Sequence, residues 1–269
     1  MRYQRVISLT PSITETIFAL GAEPRLIGVT DACDYPASAN SKPHVCSWFN
    51  PDIARIRELK PDLVLGLASA HGPLTAELQR LGTECVLFSP TTIEQSFDDM
   101  ERLAALLAAQ KAGRTLLADL RRRLTLLDGK VRNLHPAQRL TVMRVLDSND
   151  QGLIVAGPQS FQYDVIARAG GINLTGALTA AYPSIDYQQL QDWDPTVIFL
   201  CGTDPTYLTR LAAAPRWQAL SAVRSGRLYQ FDCGLTCRTG PRIVDMAELL
   251  FTTLYGEKNL PLFSENRNE

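Results

Sequence analysis

Arg5-Val6-Ile7-Ser8-Leu9-Thr10-Pro11-Ser12-Ile13-Thr14-Glu15, with Gly21 a few residues on, is the stretch that decides the fold. Residues 5–9 are apolar and β-branched enough for a buried strand. Ser12 and Glu15 have the spacing of a capping box, and Gly21 stands where a helix ends in a left-handed residue. The same order recurs downstream. Residues 26–30, 63–67 and 85–88 are short apolar runs, with helical patterns at 52–59 and 74–81 between the later ones. Such alternation predicts a parallel sheet wrapped by helices.

From Thr92, with Gln95 as a second capping-box partner, the apolar positions Ile93, Phe97, Met100, Leu103, Leu107, Leu117, Leu120, Leu124 and Leu127 keep a helical period up to Asp128-Gly129. No proline or turn cluster interrupts them, which predicts one helix of about 35 residues, a rod of roughly 50 Å. Gly113 is the place for a bend. The alternation restarts near Arg139, with strands at 140–146, 197–201 and 227–231 and helices at 160–169 and 242–255. The expected division is an α/β lobe at 1–91, a connecting helix at 92–130 and a second α/β lobe at 131–269. The second lobe echoes the first: Asp52 and Leu59-Lys60-Pro61-Asp62-Leu63-Val64 are matched by Asp186 and Trp193-Asp194-Pro195-Thr196-Val197-Ile198 at a constant offset of 134 residues. Each copy reads as helix, Pro-led turn and buried strand.

Composition narrows the function. The 269 residues carry 27 Lys and Arg against 28 Asp and Glu with no long run of one sign, so nucleic acid is not an expected partner. No apolar stretch approaches the ~20 residues a membrane-spanning helix needs. Gly-x-Gly-x-x-Gly, Walker, His-Glu-x-x-His and Gly-x-Ser-x-Gly motifs are absent, and His44, His71 and His135 are the only histidines, so the chain does not read as an enzyme. The basic Met1–Arg5 start is followed by an apolar run that Pro11, Ser12 and Glu15 cut short, so it reads as strand and helix instead of a signal sequence. A mature chain with a new Met, a mis-assigned start and a cytoplasmic protein all remain open readings.

The loops at strand ends hold the candidate site. Pro11-Ser12 follows the first strand and Asp34-Tyr35-Pro36 the second, while Ser47-Trp48-Phe49 precedes the helix at Asp52. Ligands of doubly wound sheets sit outside the carboxyl ends of the strands, and flat rings suit a flat apolar ligand. The alternative is that Tyr35 and Trp48 cap a core. Of the six cysteines, Cys85 and Cys201 read as core residues. Cys33, Cys46, Cys233 and Cys237 lie in loops, as disulfide partners, as plain small residues, or as soft ligands for a metal or a reactive corrinoid. His71 and His44 are weaker ligand candidates, and each also reads as a solvated loop histidine.

Together the run 5–15, Gly28-Val29-Thr30, Cys33-Asp34-Tyr35-Pro36, Leu59-Lys60-Pro61-Asp62-Leu63-Val64, Ala169-Gly170-Gly171-Ile172-Asn173, Tyr182-Pro183 and Gly240-Pro241-Arg242-Ile243-Val244-Asp245 resemble the iron-siderophore and cobalamin substrate-binding proteins of bacterial ABC importers. The resemblance covers about residues 5–260 and is nearest to the cobalamin-binding members. It implies two Rossmann-like α/β lobes joined by one long rigid helix, with the ligand in a cleft between them and little hinge closure. It also implies a periplasmic monomer that binds cobalamin or another corrinoid without a cofactor and hands it to a membrane permease. Pro11, Tyr35, Trp48 and Tyr182 are the implied wall residues, and Arg242 and Asp245 the polar contacts. Haem or a ferric siderophore is the alternative ligand, the latter needing arginines such as Arg238 and Arg242. A cysteine-dependent metal-handling protein or enzyme is the third reading. Cys237 stands where the family has a permease-docking glutamate, and no acidic equivalent occurs near Gly72.

Overall fold

The computed structural model describes residues 3–47, 50–80 and 82–256, with the side chains of Cys46 and Ala76 excepted. Its elements fall into two units, one running to Arg122 and including Arg238–Pro241, the other comprising Arg123–Cys237 and the chain from Arg242 onward.

The first unit contains β1 (Val6–Ser8), α1 (Pro11–Ala19), β2 (Leu26–Thr30), β3 (His44–Ser47), β4 (Asn50–Pro51), α2 (Ile53–Glu58), β5 (Leu63–Leu67), α3 (Ala68–Arg80), β6 (Glu84–Phe88), α4 (Ile93–Leu106) and the start of α5 (Gln110–Arg132). Its sheet has the order β4-β3-β2-β1-β5-β6, parallel throughout except for the β4 edge. Alternate side chains serve opposite faces. Val6, Leu63 and Leu65 join one apolar cluster with α1 and α4, whereas Ile7 and Val64 join another with Ile56 of α2 and Leu78 of α3. Cover on both faces is what a parallel sheet requires. The chain reverses its direction of travel between β1 and β5, so the switch point lies at the carboxyl ends of those two strands.

The first helix starts two residues earlier than the expected box, which would have made Ser12 the N-cap. Pro11 occupies its first turn, Thr10 is the N-cap without a side-chain cap bond, and Glu15 is committed elsewhere. Gly21, at φ 65°, ends it as expected, with the Ala22 N–H on the Ile17 carbonyl. At α4 the Thr92 hydroxyl does accept from the Gln95 N–H, but the Gln95 amide accepts from Thr91, so only half of the box forms.

The single long helix is corrected to two. The helix α4 stops at Leu107, and Ala108 takes a left-handed φ of 49°. The Ala109 N–H reaches back to the Ala104 carbonyl and the Ala108 N–H to Ala105, a Schellman stop built without glycine. Arg25 donates to the carbonyl of the buried Leu107 and completes the cap. Gly113 marks no bend. A Cβ there would lie 2.6 Å from the Ala104 Cβ, so glycine lets α5 pack closely on α4.

The second unit contains the rest of α5, β7 (Thr141–Asn149), β8 (Gly152–Val155), α6 (Phe161–Arg168), β9 (Ile172–Asn173), β10 (Ser184–Ile185), α7 (Tyr187–Trp193), β11 (Val197–Cys201), α8 (Tyr207–Ala213), α9 (Pro215–Gln218), α10 (Ser221–Arg224), β12 (Leu228–Phe231), α11 (Cys233–Thr236) and α12 (Ile243–Tyr255). Its sheet runs β10-β8-β7-β11-β12, with β9 beside the start of β7 and an antiparallel edge made by β8 and β10. One face packs Met143, Val145, Ile198 and Leu200 on Trp217 and Leu220.

The echo is visible in geometry. Asp52 and Asp186 both cap their helices, accepting from the Arg55 and Gln189 N–H groups. Lys60 and Asp194, again 134 apart, both take positive φ, at 46° and 38°, before the strands β5 and β11. Each of those strands lies one in from an edge of its sheet, with a parallel neighbour on both sides.

One group in α4 is misfit. Asp99 has a buried Oδ2 without a hydrogen-bond partner, and burial pushes its carboxyl up to about 6. A carboxyl raised in the folded state costs nothing below its unfolded value near 4 and increasingly more as pH climbs through 6. Asp99→Asn is therefore expected to stabilise the protein by about 1 kcal/mol above pH 6.5, after allowance for its partial solvation. The gain vanishes near pH 4. Urea unfolding at the two pH values checks this, and an equal effect at both defeats it.

Candidate functional site

At the switch point of the first unit, small hydroxyls and one thiol form a buried network. Thr14 donates to the Ser8 hydroxyl at 2.9 Å and to Cys33 Sγ at 3.2 Å, Thr30 contacts the same sulfur at 3.2 Å, and Thr10 meets Ser12 at 3.2 Å. Burial pushes the Cys33 thiol up, so it is an inert partner of these hydroxyls. Beside it Arg238 bonds Glu15 at 2.7 Å, Asp34 at 2.7 Å and the Ala32 carbonyl at 3.2 Å. Pro11 is buried in the first turn of α1. Tyr35, which precedes a cis proline, leaves 47% of its surface exposed at the carboxyl side of β2. Trp48, the other expected ring, lies outside the described residues, as does the side chain of Cys46.

His71 is corrected from loop to helix. The helix α3 begins at Ala68, not near Leu74, so His71 is buried in its first turns and its Nδ1 accepts the Leu67 N–H at 3.0 Å. Gly66 leaves room for the ring: a Cβ there would sit 2.8 Å from that nitrogen. His44 is exposed in β3.

In the second unit Tyr182 is 45% exposed, and its hydroxyl meets the Gln162 carbonyl oxygen at 3.2 Å. Burial of that hydroxyl raises its ionisation above the usual value. Two backbone bonds place the ring: the Gly157 N–H to Ala181 at 2.8 Å and the Val155 N–H to Pro183 at 3.0 Å. Arg242 and Asp245, expected as ligand contacts, have bonds inside the unit. Arg242 donates to the Gly234 carbonyl at 2.9 Å. Asp245 and Glu248 both bind Arg123 of α5 at 2.5 Å.

Residues 6–233 match the periplasmic binding protein family. The chain belongs to that family. It is 30% identical over 202 residues to the vitamin B12-binding protein of Yersinia pestis (strain Pestoides F), covering 74% of this chain and 70% of that protein. Among solved structures it resembles the periplasmic vitamin B12 binding protein of Vibrio cholerae, with 26% identity and a TM-score of 0.80 over 94% of this chain and 97% of that one. A periplasmic heme-binding protein in complex with two hemes is 27% identical, with a TM-score of 0.83 over 93% of this chain and 97% of that chain. The α/β class and the family read from the sequence both hold. No helix among the described residues is long and apolar enough to cross a membrane.

One cluster in this periplasmic binding protein was not legible in the motifs. Cys201 closes β11 and was read as a core residue. Its sulfur lies 3.4 Å from Cys237 Sγ and 3.0 Å from Nη2 of Arg144, a side chain only 1% exposed. Cys233 on α11 is exposed. Hydrogen bonds from Cys233 and Cys237, helped by the Arg144 charge, pull the Cys201 thiol far below its ordinary value, and the same sulfur contacts push Cys233 up. The sequence signal was Arg144 itself, a charge in the middle of the apolar run at 140–146, which cannot be buried without a partner. Among the described residues no group of three or more His, Cys, Asp or Glu is arranged to hold a metal ion.

Proposed function

We propose that this chain binds cobalamin or a related corrinoid as the substrate-binding component of an ABC importer, without catalysing a reaction on it. The 30% identity to a vitamin B12-binding protein over 202 residues carries the reading. Tyr35 and Tyr182 support it, since each presents a half-exposed aromatic face in a loop flanking the sheet of its unit, and a corrin is a broad apolar disc with polar edges. Trp48 completes the proposed ring set, and Arg242 and Asp245 remain proposed contacts to the ligand edge. Haem is the second reading, favoured by the likeness to a heme-binding structure. A strongly anionic ferric chelate is less supported, because Arg238 already faces Glu15 and Asp34.

Calorimetric titration with cyanocobalamin and, separately, with hemin tests the proposal. Saturable one-to-one heat with the corrinoid is expected. Tyr182→Ala is expected to weaken it about tenfold, the ~1.4 kcal/mol of one ring contact. Heat with hemin alone transfers the site to the second reading, and heat with neither removes both.

A further inference from the structure

Parallel strands β11 and β12 end side by side, and their carboxyl ends carry Cys201 and the Asp232-Cys233 turn. Arg144 reaches this edge from β7, where it pairs in register with Phe199 and stacks over that ring at 5.6 Å. A guanidinium is always charged, and one that is 1% exposed needs an opposite charge. No carboxylate within bonding distance of Arg144 is found among the described residues: its partners are the Val145 carbonyl, Cys201 Sγ and, at 3.7 Å, Cys237 Sγ, while its Nε has none. The anion opposite Arg144 is therefore sulfur.

We propose that Cys201 and Cys237 are a thiol pair that closes to a disulfide by exchange with small-molecule disulfides, with Arg144 presenting Cys201 as the attacking sulfur. The two sulfurs stand 3.4 Å apart and need about 1.4 Å of approach to reach a bond of about 2.05 Å. Cys201 is the attacker because it is the sulfur nearer the cation, where a thiolate is favoured, and thiolates are the nucleophiles in exchange. In the first step the Cys201 thiolate attacks one sulfur of RSSR, forming a mixed disulfide and expelling RS⁻. In the second, Cys237 loses its proton to that RS⁻ and attacks Cys201 Sγ, and the second RS⁻ leaves and takes a proton from water. The pair is oxidised by two electrons and the small disulfide is reduced to two thiols. Oxidation also removes the anion from beside a buried cation, so the bond is readily reduced again. This inference does not depend on which ligand the protein binds.

The test uses the whole protein, reduced and freed of reductant, treated with hydroxyethyl disulfide at pH 7 and mapped by mass spectrometry after acid quench. The expected product is a Cys201–Cys237 cross-link with release of two small thiols per chain. Cys233→Ser leaves it unchanged, and Cys237→Ser traps the mixed disulfide on Cys201. In the unaltered protein, alkylation of Cys201 by iodoacetamide is expected to vary less than twofold between pH 6 and 8. Arg144→Met is expected to steepen that profile toward the rise of an ordinary thiol, since it removes the charge that helps to hold Cys201 low. Should that variant unfold, the flat profile of the unaltered chain decides alone. A cross-link that includes Cys233, or a rising Cys201 profile in the unaltered protein, overturns the proposal.

Discussion

Arg238→Met is expected to destabilise the protein by about 3–5 kcal/mol, the range for removing one member of a buried ion pair. The Glu15 side chain is only 2% exposed and its Oε1 lies 2.7 Å from the Arg238 Nη1. Methionine keeps most of the volume and removes the charge opposite a carboxylate that water does not reach. Asp34, 61% exposed, is solvated either way and adds little. The cost should therefore trace to Glu15, and the double variant Glu15→Gln, Arg238→Met recovers much of it. Urea unfolding at pH 7, with amide exchange in β1 and α1 as the local readout, checks both parts. A loss below 1 kcal/mol for the single variant shows that Glu15 is not held by this cation.

The same pair shows where sequence reading reaches its limit. The capping-box spacing of Ser12 and Glu15 is a local signal, and it lost to a contact with a residue more than 220 positions away. Local rules succeeded where one residue type answers one backbone demand: Gly21 at positive φ and the apolar runs that became β2, β5 and β11. They failed at Ala108, where the left-handed stop is made by a residue with no preference for that conformation, held by packing of α5 on α4 and by Arg25. The short antiparallel edge of β8 and β10 has no periodicity long enough to read.

Among the proposed site residues the two half-exposed tyrosines could be read as rings next to prolines in loops. The sulfur cluster was not. Cys201 looked like any apolar strand residue because strand alternation says which face a side chain takes, not which side chain from another strand meets it there. The charge of Arg144 in β7 was the clue that a partner had to exist, and the carboxyl edge of the parallel strands was the place to look for it. Arg242 and Asp245, still proposed as ligand contacts, stand at the start of α12, and both also have partners within their own unit, the Gly234 carbonyl and Arg123.

Gly157→Ala is expected to cost about 1–3 kcal/mol in stability and to weaken ligand binding more than Tyr182→Ala does. A Cβ on Gly157 would stand 2.1 Å from the Ala180 carbonyl oxygen and 2.8 Å from the Pro183 ring. Neither is the end of a flexible chain that can swing aside, so the backbones must part. Parting them breaks the Gly157 bond to Ala181 and strains the Val155 bond to Pro183, the two bonds that fix the segment bearing Tyr182. The ring then loses its hydroxyl contact with Gln162 as well as its place. Gly72→Ala is the control, since a Cβ there meets nothing within 4 Å inside α3. Thermal unfolding and cyanocobalamin titration of both variants decide the matter: affinity within twofold of the parent in Gly157→Ala means that this segment does not position the ligand.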